Sequence, residues 1–289
     1  MPYTMSIQIT PFYHQDTGTW TYVVNDPSCN HCAVIDPVLD YELSSGKASY
    51  QSIQKVIDFI NAQHLQLQWI LETHAHADHL TAAQYVKDSL GGKIIIGAGI
   101  MDVQQHFATS LNLDIPIDGS QFDILVHKGD TLSLGRYEFI AHPTPGHTDD
   151  SMSYQIAGHI FIGDTFFHPE LGTARCDFPG GSAEKLFSSL KFLIAFPEDY
   201  CLWLCHDYPK DREPVAKTTV AEQKNNIHFR QSGGNPEAYA QLRNERDDSL
   251  QVPKLIYPSL QVNIRAGQFP DAEPNGCKYL KMPFSVDKP

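Results

Sequence analysis

Short apolar runs divide the first hundred residues into strands and two helices. The segment Ser52–Ala62 places Ile53, Val56, Ile57 and Ile60 on one face, which predicts a helix. Thr81–Leu90 predicts a second helix that ends at Gly91-Gly92. The predicted strands, several of them bounded by Asp, Gly and Pro turn signals, are Ile7–Phe12, Thr19–Val24, Ala33–Ile35, Leu67–Leu71 and Lys93–Gly97.

The same order of elements returns in the second half of the chain. Strands are predicted at Thr131–Leu134, Tyr137–His142, Ser151–Ile156, His159–Ile162 and Cys201–Cys205. Ala183–Phe196 predicts an amphipathic helix, and Thr219 and Glu222 have the spacing of a capping box that opens another. The pattern therefore indicates an α/β protein with two similar halves, whose sheets pack face to face with helices outside.

Two stretches are less regular than the rest. Residues 100–120 read as a helix or an insertion. The last fifty residues hold many of the prolines and little periodicity, which predicts a wrapping tail rather than a domain. We therefore expect a catalytic domain over residues 1–231 and a C-terminal extension over 232–289 that wraps on it.

Composition narrows the class of protein. The chain has 289 residues and a formal net charge of -13, without a run of Lys and Arg, which argues against nucleic-acid binding. No apolar stretch approaches the roughly 20 residues needed to cross a bilayer, and the N-terminus has no signal-peptide pattern. We expect a cytoplasmic protein whose six cysteines are thiols, with the Cys29–Cys32 CxxC in a turn between two strands.

Histidine is the unusual residue, with fourteen in the chain. His74-x-His76-x-Asp78-His79 follows directly after the apolar strand Leu67–Leu71. Alternate residues of an extended segment share one side, so His74 and His76 can face one cavity while Asp78 and His79 turn with the loop. A solvated loop is the less favoured interpretation, because unpaired polar groups beside a core are costly.

Three more strands deliver a ligand-type side chain into a loop. The side chains in these loops are His147 in Thr-Pro-Gly-His-Thr, Asp164 after Gly163, and His206 after Cys205. Together the four elements predict a metal site. The isolated histidines are interpreted as surface or satisfied core residues: His14, His64, His106, His127 and His228.

The motif set HxHxDH, TPGHT, GD and a later His resembles the metallo-β-lactamase superfamily over about residues 10 to 230. The resemblance implies the four-layer αβ/βα sandwich, with the site at one edge of the two sheets. This agrees with the two halves read from the pattern.

The segment 171–181, Leu-Gly-Thr-Ala-Arg-Cys-Asp-Phe-Pro-Gly-Gly, resembles the persulfide dioxygenases, as do segments 36–38, 72–74, 206–208 and 218–226. That resemblance implies one Fe(II) per chain, held by His74, His147 and Asp164, with open positions for O2 and a substrate sulfur. The implied reaction converts glutathione persulfide, or another small persulfide, and O2 to sulfite and thiol. Relatives of this type often form homodimers, although no stripe in this sequence indicates an interface.

Two residues are candidates for substrate binding. The planar guanidinium of Arg175 suits a glutathione carboxylate, and its alternative is an ion pair with Asp177 or another acid. Tyr208 is a candidate hydrogen-bond donor at the rim of the site, and its alternative is a packed core tyrosine. Cys176 is interpreted as a bystander.

The ligand inventory leaves other functions open. His76, Asp78, His79 and His206 could form a retained outer shell around the iron or hold a second metal. In the latter case two zinc ions, or mixed metals, would serve a thioester hydrolase similar to glyoxalase II. The Arg-x-Asp-Phe segment and the lack of a marked helical C-terminal domain favour the dioxygenase. A non-catalytic binding or sensor protein is a third possibility, although no ligand is lost.

Overall fold

The computed structural model describes residues 6–284 and 286. The first of two large sheets contains the N-terminal strands. The strand order is β1-β2-β3-β6-β8-β9, in which β3, β6, β8 and β9 run parallel. The strands are β1 (Gln8–His14), β2 (Thr19–Asp26), β3 (His31–Ile35), β6 (Gln66–Leu71), β8 (Lys93–Gly97) and β9 (Ile124–Val126).

The second large sheet follows the strand order β10 to β15 along the chain and contains one parallel pair, β13 with β14. Its strands are β10 (Thr131–Leu134), β11 (Tyr137–Pro143), β12 (Met152–Ile156), β13 (His159–Phe161), β14 (Cys201–Trp203) and β15 (Lys217–Thr219). A small third sheet has the order β5-β4-β7, with β4 (Val38–Glu42), β5 (Lys47–Ser49) and β7 (Leu80–Thr81).

The helices cover the outer faces of the two large sheets. They are α1 (Gln51–Ala62), α2 (Ala83–Leu90), α3 (Ile100–Ser110), α4 (Ala183–Leu193), α5 (Val220–Gln223), α6 (Ile227–Gln231), α7 (Pro236–Asp247) and α8 (Ile256–Asn263). None of those helices is long and apolar enough to span a bilayer.

Three apolar clusters define the layers. The central one lies between the sheets and joins Val24 and Ile35 of the first to Phe139 and Phe161 of the second. The other two pack α1–α3 and α8 on the first sheet and α4–α7 on the second. The α/β four-layer αβ/βα sandwich expected from the sequence is therefore confirmed.

The local predictions agree with the structure in most places. The Thr219–Glu222 capping box forms, and the six cysteines are free thiols. Cys29 lies in the turn between β2 and β3 as predicted, but Cys32 lies in β3 itself. Residues 100–110 are helix α3. The predicted helix at Ala183 ends at Leu193, and the strand at Cys201 ends at Trp203.

The C-terminal stretch contains two helices that its weak periodicity did not indicate. Helix α7 begins at Pro236, with the Asn235 side chain accepting the amide of Ala238, and α8 follows it. Both escape the apolar pattern because their buried faces carry polar side chains. In α7 the buried positions include Arg243 and Asp247, and in α8 they include Gln261 and Asn263. The domain division at residue 231 stays a prediction.

Candidate metal centre

Two groups of metal-ligand side chains meet at one edge of the sandwich. His74, His147 and Asp164 lie in loops that follow β6, β11 and β13, and each offers a ligand atom within 4.8 Å of the other two. We call this group the first cluster. The second cluster consists of His76, Asp78, His79 and His206, whose ligand atoms also lie within 4.8 Å of one another. The structure therefore brings together all seven of the ligand candidates predicted from the sequence.

Asp164 lies between the two clusters. Its Oδ2 is 3.6 Å from Nε2 of His147, and its Oδ1 is 3.4 Å from Nε2 of His206. Each carboxylate oxygen thus faces a different group of imidazoles. A single metal in the first cluster could use Oδ2 alone, and a pair of metals could share the carboxylate.

Each histidine of the HxHxDH motif keeps one ring nitrogen for hydrogen bonding and turns the other toward its cluster. Nδ1 of His74 lies 3.1 Å from the Thr73 hydroxyl, and Nδ1 of His79 lies 3.2 Å from the Leu80 carbonyl. Nε2 of His76 lies 3.2 Å from Oδ1 of Asp36. These partners are the outer-shell acceptors that fix the tautomer of a metal-binding histidine.

The other ring nitrogens fit a bound metal. Nε2 of His74, Nδ1 of His76 and Nε2 of His79 are buried without a hydrogen-bond partner in the described part of the chain. Three orphaned imidazole nitrogens in one place would carry a desolvation cost, which a metal ion removes. Burial also lowers the pKa of His74 and His76, and that of His79 to about 4, so their lone pairs are available at neutral pH.

His206 differs from these imidazoles. Burial acts to lower its pKa, but the carboxylates of Asp78 and Asp164 outweigh burial and raise it above the ordinary value. Oδ2 of Asp78 is 3.3 Å from Nε2 of His206. The His206–Asp78 pair can therefore satisfy its charges internally when no second metal is bound.

Asp36 is a site residue that sequence reasoning left without a role. It accepts hydrogen bonds from the Thr73 amide at 2.8 Å and the Thr73 hydroxyl at 2.9 Å, besides facing His76. Burial raises the pKa of Asp36 to about 6. A signal was available, since Asp36 directly follows β3, the parallel neighbour of β6, and the carboxyl ends of parallel strands share one edge of a sheet.

Three further side chains brace the HxHxDH loop. Glu72 accepts the Thr81 hydroxyl, and Asp150 accepts the Ala75 amide at 2.7 Å. Asn263 of α8 donates to the carbonyls of His76 at 2.7 Å and His79 at 2.8 Å. No sequence signal pointed to Asn263, which is 184 residues or more from its partners.

A cavity of about 260 Å³ opens on Asp78, His147 and Asp164. Phe167 and Phe178 supply apolar wall. The C-terminal segment supplies another wall, formed by Arg246, Leu250 and Pro253. The segment expected to wrap on the catalytic domain therefore shapes the mouth of the site.

Arg175 lines this cavity, but its guanidinium is already engaged. Nε and Nη2 donate to the two carboxylate oxygens of Asp177 at 2.6 and 2.5 Å, and Nη1 donates to the Gln251 carbonyl at 2.9 Å. This is the ion pair considered as the alternative for this residue. A role in binding a substrate carboxylate stays a prediction.

Tyr208 lies at the rim of the cavity. Its ring stacks on that of His206, with centroids 5.7 Å apart and planes at 8°, and 46% of the residue is exposed. The alternative of a packed core tyrosine is therefore wrong. Hydrogen bonding to substrate stays a prediction.

Comparison with known proteins identifies relatives over nearly the whole chain. A family model described as the metallo-beta-lactamase superfamily matches residues 15–206. The chain is 43% identical to a beta-lactamase hydrolase-like protein of Agrobacterium fabrum, over 94% of this chain and 64% of that protein. It is 42% identical to Glyoxylase B2 of Dictyostelium discoideum, over 97% of this chain and 98% of that protein.

More distant relatives carry another name. The mitochondrial persulfide dioxygenase ETHE1 of Bos taurus is 26% identical over 75% of this chain and 74% of that protein. The crystal structure of ETHE1 from Myxococcus xanthus superimposes with a TM-score of 0.73 at 26% identity. The match covers 90% of this chain and 100% of that chain.

Proposed function

Since the chain belongs to the metallo-β-lactamase superfamily, as a metal-dependent enzyme, we propose that it is a non-haem Fe(II)-dependent persulfide dioxygenase. The proposed substrates are O2 and glutathione persulfide, and the products are sulfite and glutathione. Water supplies the third oxygen of sulfite, and two protons are released. The single observation that carries the proposal is the first cluster, in which two imidazoles and one carboxylate converge and two members, His147 and Asp164, line a cavity.

The residues of the first cluster match the donor set of non-haem iron oxygenases. His74, His147 and Asp164 would hold the iron, and Fe(II) in such a set supplies open positions for O2 and a sulfur ligand. Asp164 contributes the anionic ligand. Burial raises the pKa of its carboxyl, although attraction to His206 opposes this, so a bound cation would favour the ionised form.

The cavity has features that suit an anionic thiol substrate. Phe167 and Phe178 present apolar surface beside the cluster, and Arg246 places positive charge on the wall, whereas the charge of Arg175 is paired with that of Asp177. A chain of net charge -13 repels anions at long range, so attraction of the substrate has to be local. Arg246 supplies a positive charge of this kind within the cavity.

A dinuclear thioester hydrolase is the second candidate, and the position of Asp164 favours it. The two oxygens of this carboxylate face separate clusters, as a ligand shared by two metals would. Glyoxylase B2 of Dictyostelium, at 42% identity, bears a name that agrees with this candidate. In that case His76, Asp78, His79 and His206 would hold the second metal.

Oxygen consumption separates the two candidates. We expect protein reconstituted anaerobically with Fe(II) to consume O2 when given glutathione persulfide and to release one sulfite per O2. The checks are an oxygen electrode, a sulfite assay and metal content per chain. Two equivalents of zinc together with hydrolysis of a glutathione thioester, and no oxygen uptake, would overturn the proposal in favour of the hydrolase.

Replacing Asp78 with alanine tests how many metals the reaction needs. Asp78 belongs to the second cluster only, so the D78A protein is expected to keep one iron per chain and oxygen uptake within about 10-fold of wild type, the smaller loss typical of an outer-shell change. The exposed Asp211 provides a control of the same chemistry in D211A. A roughly 100-fold loss in D78A alone, with loss of a metal equivalent, would show that the second cluster carries the reaction.

A further inference from the structure

One peptide group connects helix α7 with the first cluster. The carbonyl of Arg175 accepts a hydrogen bond from Nδ1 of His147 at 2.8 Å. The amide of Cys176, at the other end of the same peptide plane, donates to Oδ2 of Asp247 at 2.7 Å. His147 is therefore linked to a carboxylate of the C-terminal segment, 100 residues away in the sequence, through a single peptide unit.

We propose that Asp247 is a positioning residue for the metal centre, which acts on His147 through the Arg175–Cys176 peptide. The carboxylate fixes the orientation of the peptide plane and thereby aims the carbonyl at His147. With Nδ1 held as the donor, the Nε2 lone pair of His147 points toward Asp164.

The burial of Asp247 supports this role. Arg243 is fully buried, and its Nη2 donates to Oδ1 of Asp247, whose side chain is 3% exposed. A buried ion pair is a weak source of stability, because desolvation offsets the attraction between the charges. The other carboxylate oxygen of Asp247, Oδ2, accepts the amide of the Arg175–Cys176 peptide. A contribution to stability does not account for this hydrogen bond, whereas orientation of the peptide does.

The charge of Asp247 also reaches His147 electrostatically. A carboxylate that accepts from the N–H end of a peptide makes the C=O end a stronger acceptor, since hydrogen bonds in a chain polarise one another. A stronger acceptor at Nδ1 makes the imidazole a better metal ligand. A polarised chain of hydrogen bonds thus runs from Arg243 through Asp247 and the Arg175–Cys176 peptide to His147 in the first cluster.

The same loop is held at a second point. The Thr173 amide donates to Nδ1 of His228 at 3.0 Å, and the hydroxyls of Thr173 and Tyr239 lie 2.7 Å apart. Nη1 of Arg243 is also 3.2 Å from Nδ1 of His228. Helices α6 and α7 therefore contact the backbone on the N-terminal side of Arg175, and Asp247 contacts it on the C-terminal side.

The inference deepens the proposed function by assigning the support of one iron ligand, but it requires only a metal at the first cluster. It can be tested without turnover. Co(II) serves as the probe, because its visible spectrum reports the ligand geometry and its affinity can be measured by competition with a chelator. Persulfide dioxygenase activity could be absent while Asp247 still governs metal binding, so the two proposals fail separately.

The D247N substitution keeps the shape of the side chain and removes its charge. Asn has an acceptor in only one of the two positions that Oδ1 and Oδ2 of Asp247 occupy, so its NH2 group faces either the Cys176 amide or Arg243, and the charge that polarises the peptide is lost in both cases. We expect the Co(II) affinity of the D247N protein to fall about 10- to 100-fold, with an altered visible spectrum. The neighbouring exposed Asp248 supplies the control, since D248N removes the same charge from α7 and is expected to leave affinity and spectrum unchanged.

A second variant covers the case in which D247N does not fold because Arg243 is left without its counter-charge. The double replacement of Arg243 by Met and Asp247 by Leu substitutes an apolar pair for a buried ion pair, a change that proteins often tolerate. This variant also removes the acceptor of the Cys176 amide and should show the same loss of affinity and the same spectral change. Wild-type affinity in a folded variant, or weaker binding with an unchanged spectrum, would overturn the proposal.

Discussion

The D164A protein is expected to lose metal from both clusters and to retain no measurable turnover. Among residues 6–284, Asp164 is the one whose carboxylate oxygens approach both groups, 3.6 Å from His147 and 3.4 Å from His206. Loss of an outer-shell partner costs about 10- to 100-fold in affinity or activity, and a ligand shared by both clusters should cost more. Metal content per chain and oxygen uptake measure the two effects.

A pair of variants separates the loss of a ligand from general damage. Asp199 is exposed, so D199A removes a carboxylate without touching the site and should keep metal and activity. D164N retains the shape of the side chain but supplies a neutral oxygen, and we expect it to bind metal more weakly than wild type. Full metal loading and full turnover in either Asp164 variant would contradict the assignment of this residue to the centre.

The ligands could be predicted from the sequence because each lies just beyond a strand. His74, His147 and Asp164 follow β6, β11 and β13, whose apolar patterns are plain, and the ends of packed strands fall at an edge of the sheets. The order of strands and helices along the chain predicts two sheets packed face to face, so the ligands at these strand ends are expected to meet in one site. The same reasoning could have included Asp36, which directly follows β3.

The residues that support the ligands could not be predicted in this way. Asn263 reaches His76 across 187 positions, and Asp247 reaches Cys176 across 71. Both stand on helices whose buried faces include polar side chains, so the apolar periodicity that reveals a helix is weak there. Their contacts depend on how the C-terminal helices dock, which no local pattern encodes.

Arg175 shows a different limit of sequence reasoning. The sequence offered a substrate carboxylate or Asp177 as alternative partners of its guanidinium, and the structure contains the Asp177 pair on the cavity wall. The backbone carbonyl of the same residue contacts His147. A main-chain contact of this kind depends on loop conformation and leaves no mark in the residue type.

Gly146, next to the ligand His147, is expected to be among the most sensitive positions in the chain. Its φ is +136°, a conformation in which any side chain is strained. A Cβ there would lie 2.2 Å from the backbone nitrogen of Leu186 and 2.3 Å from its Cα, inside helix α4. The Gly146 carbonyl also accepts the Ser182 amide at 2.9 Å, where α4 begins, so neither backbone can move away freely.

We therefore expect the G146A substitution to lower the free energy of unfolding by more than about 4 kcal/mol, because backbone strain and a clash with main-chain atoms add. Urea denaturation of the metal-free protein measures this loss without a contribution from metal binding. G129A is the matched control, since Gly129 has φ +85° but open space around its Cβ, so that substitution carries the strain without the clash. Equal destabilisation by the two substitutions would show that the close approach to Leu186 is unimportant. A larger loss in G146A, accompanied by poor metal retention in any folded fraction, would show that packing of α4 against this glycine holds His147 in the first cluster.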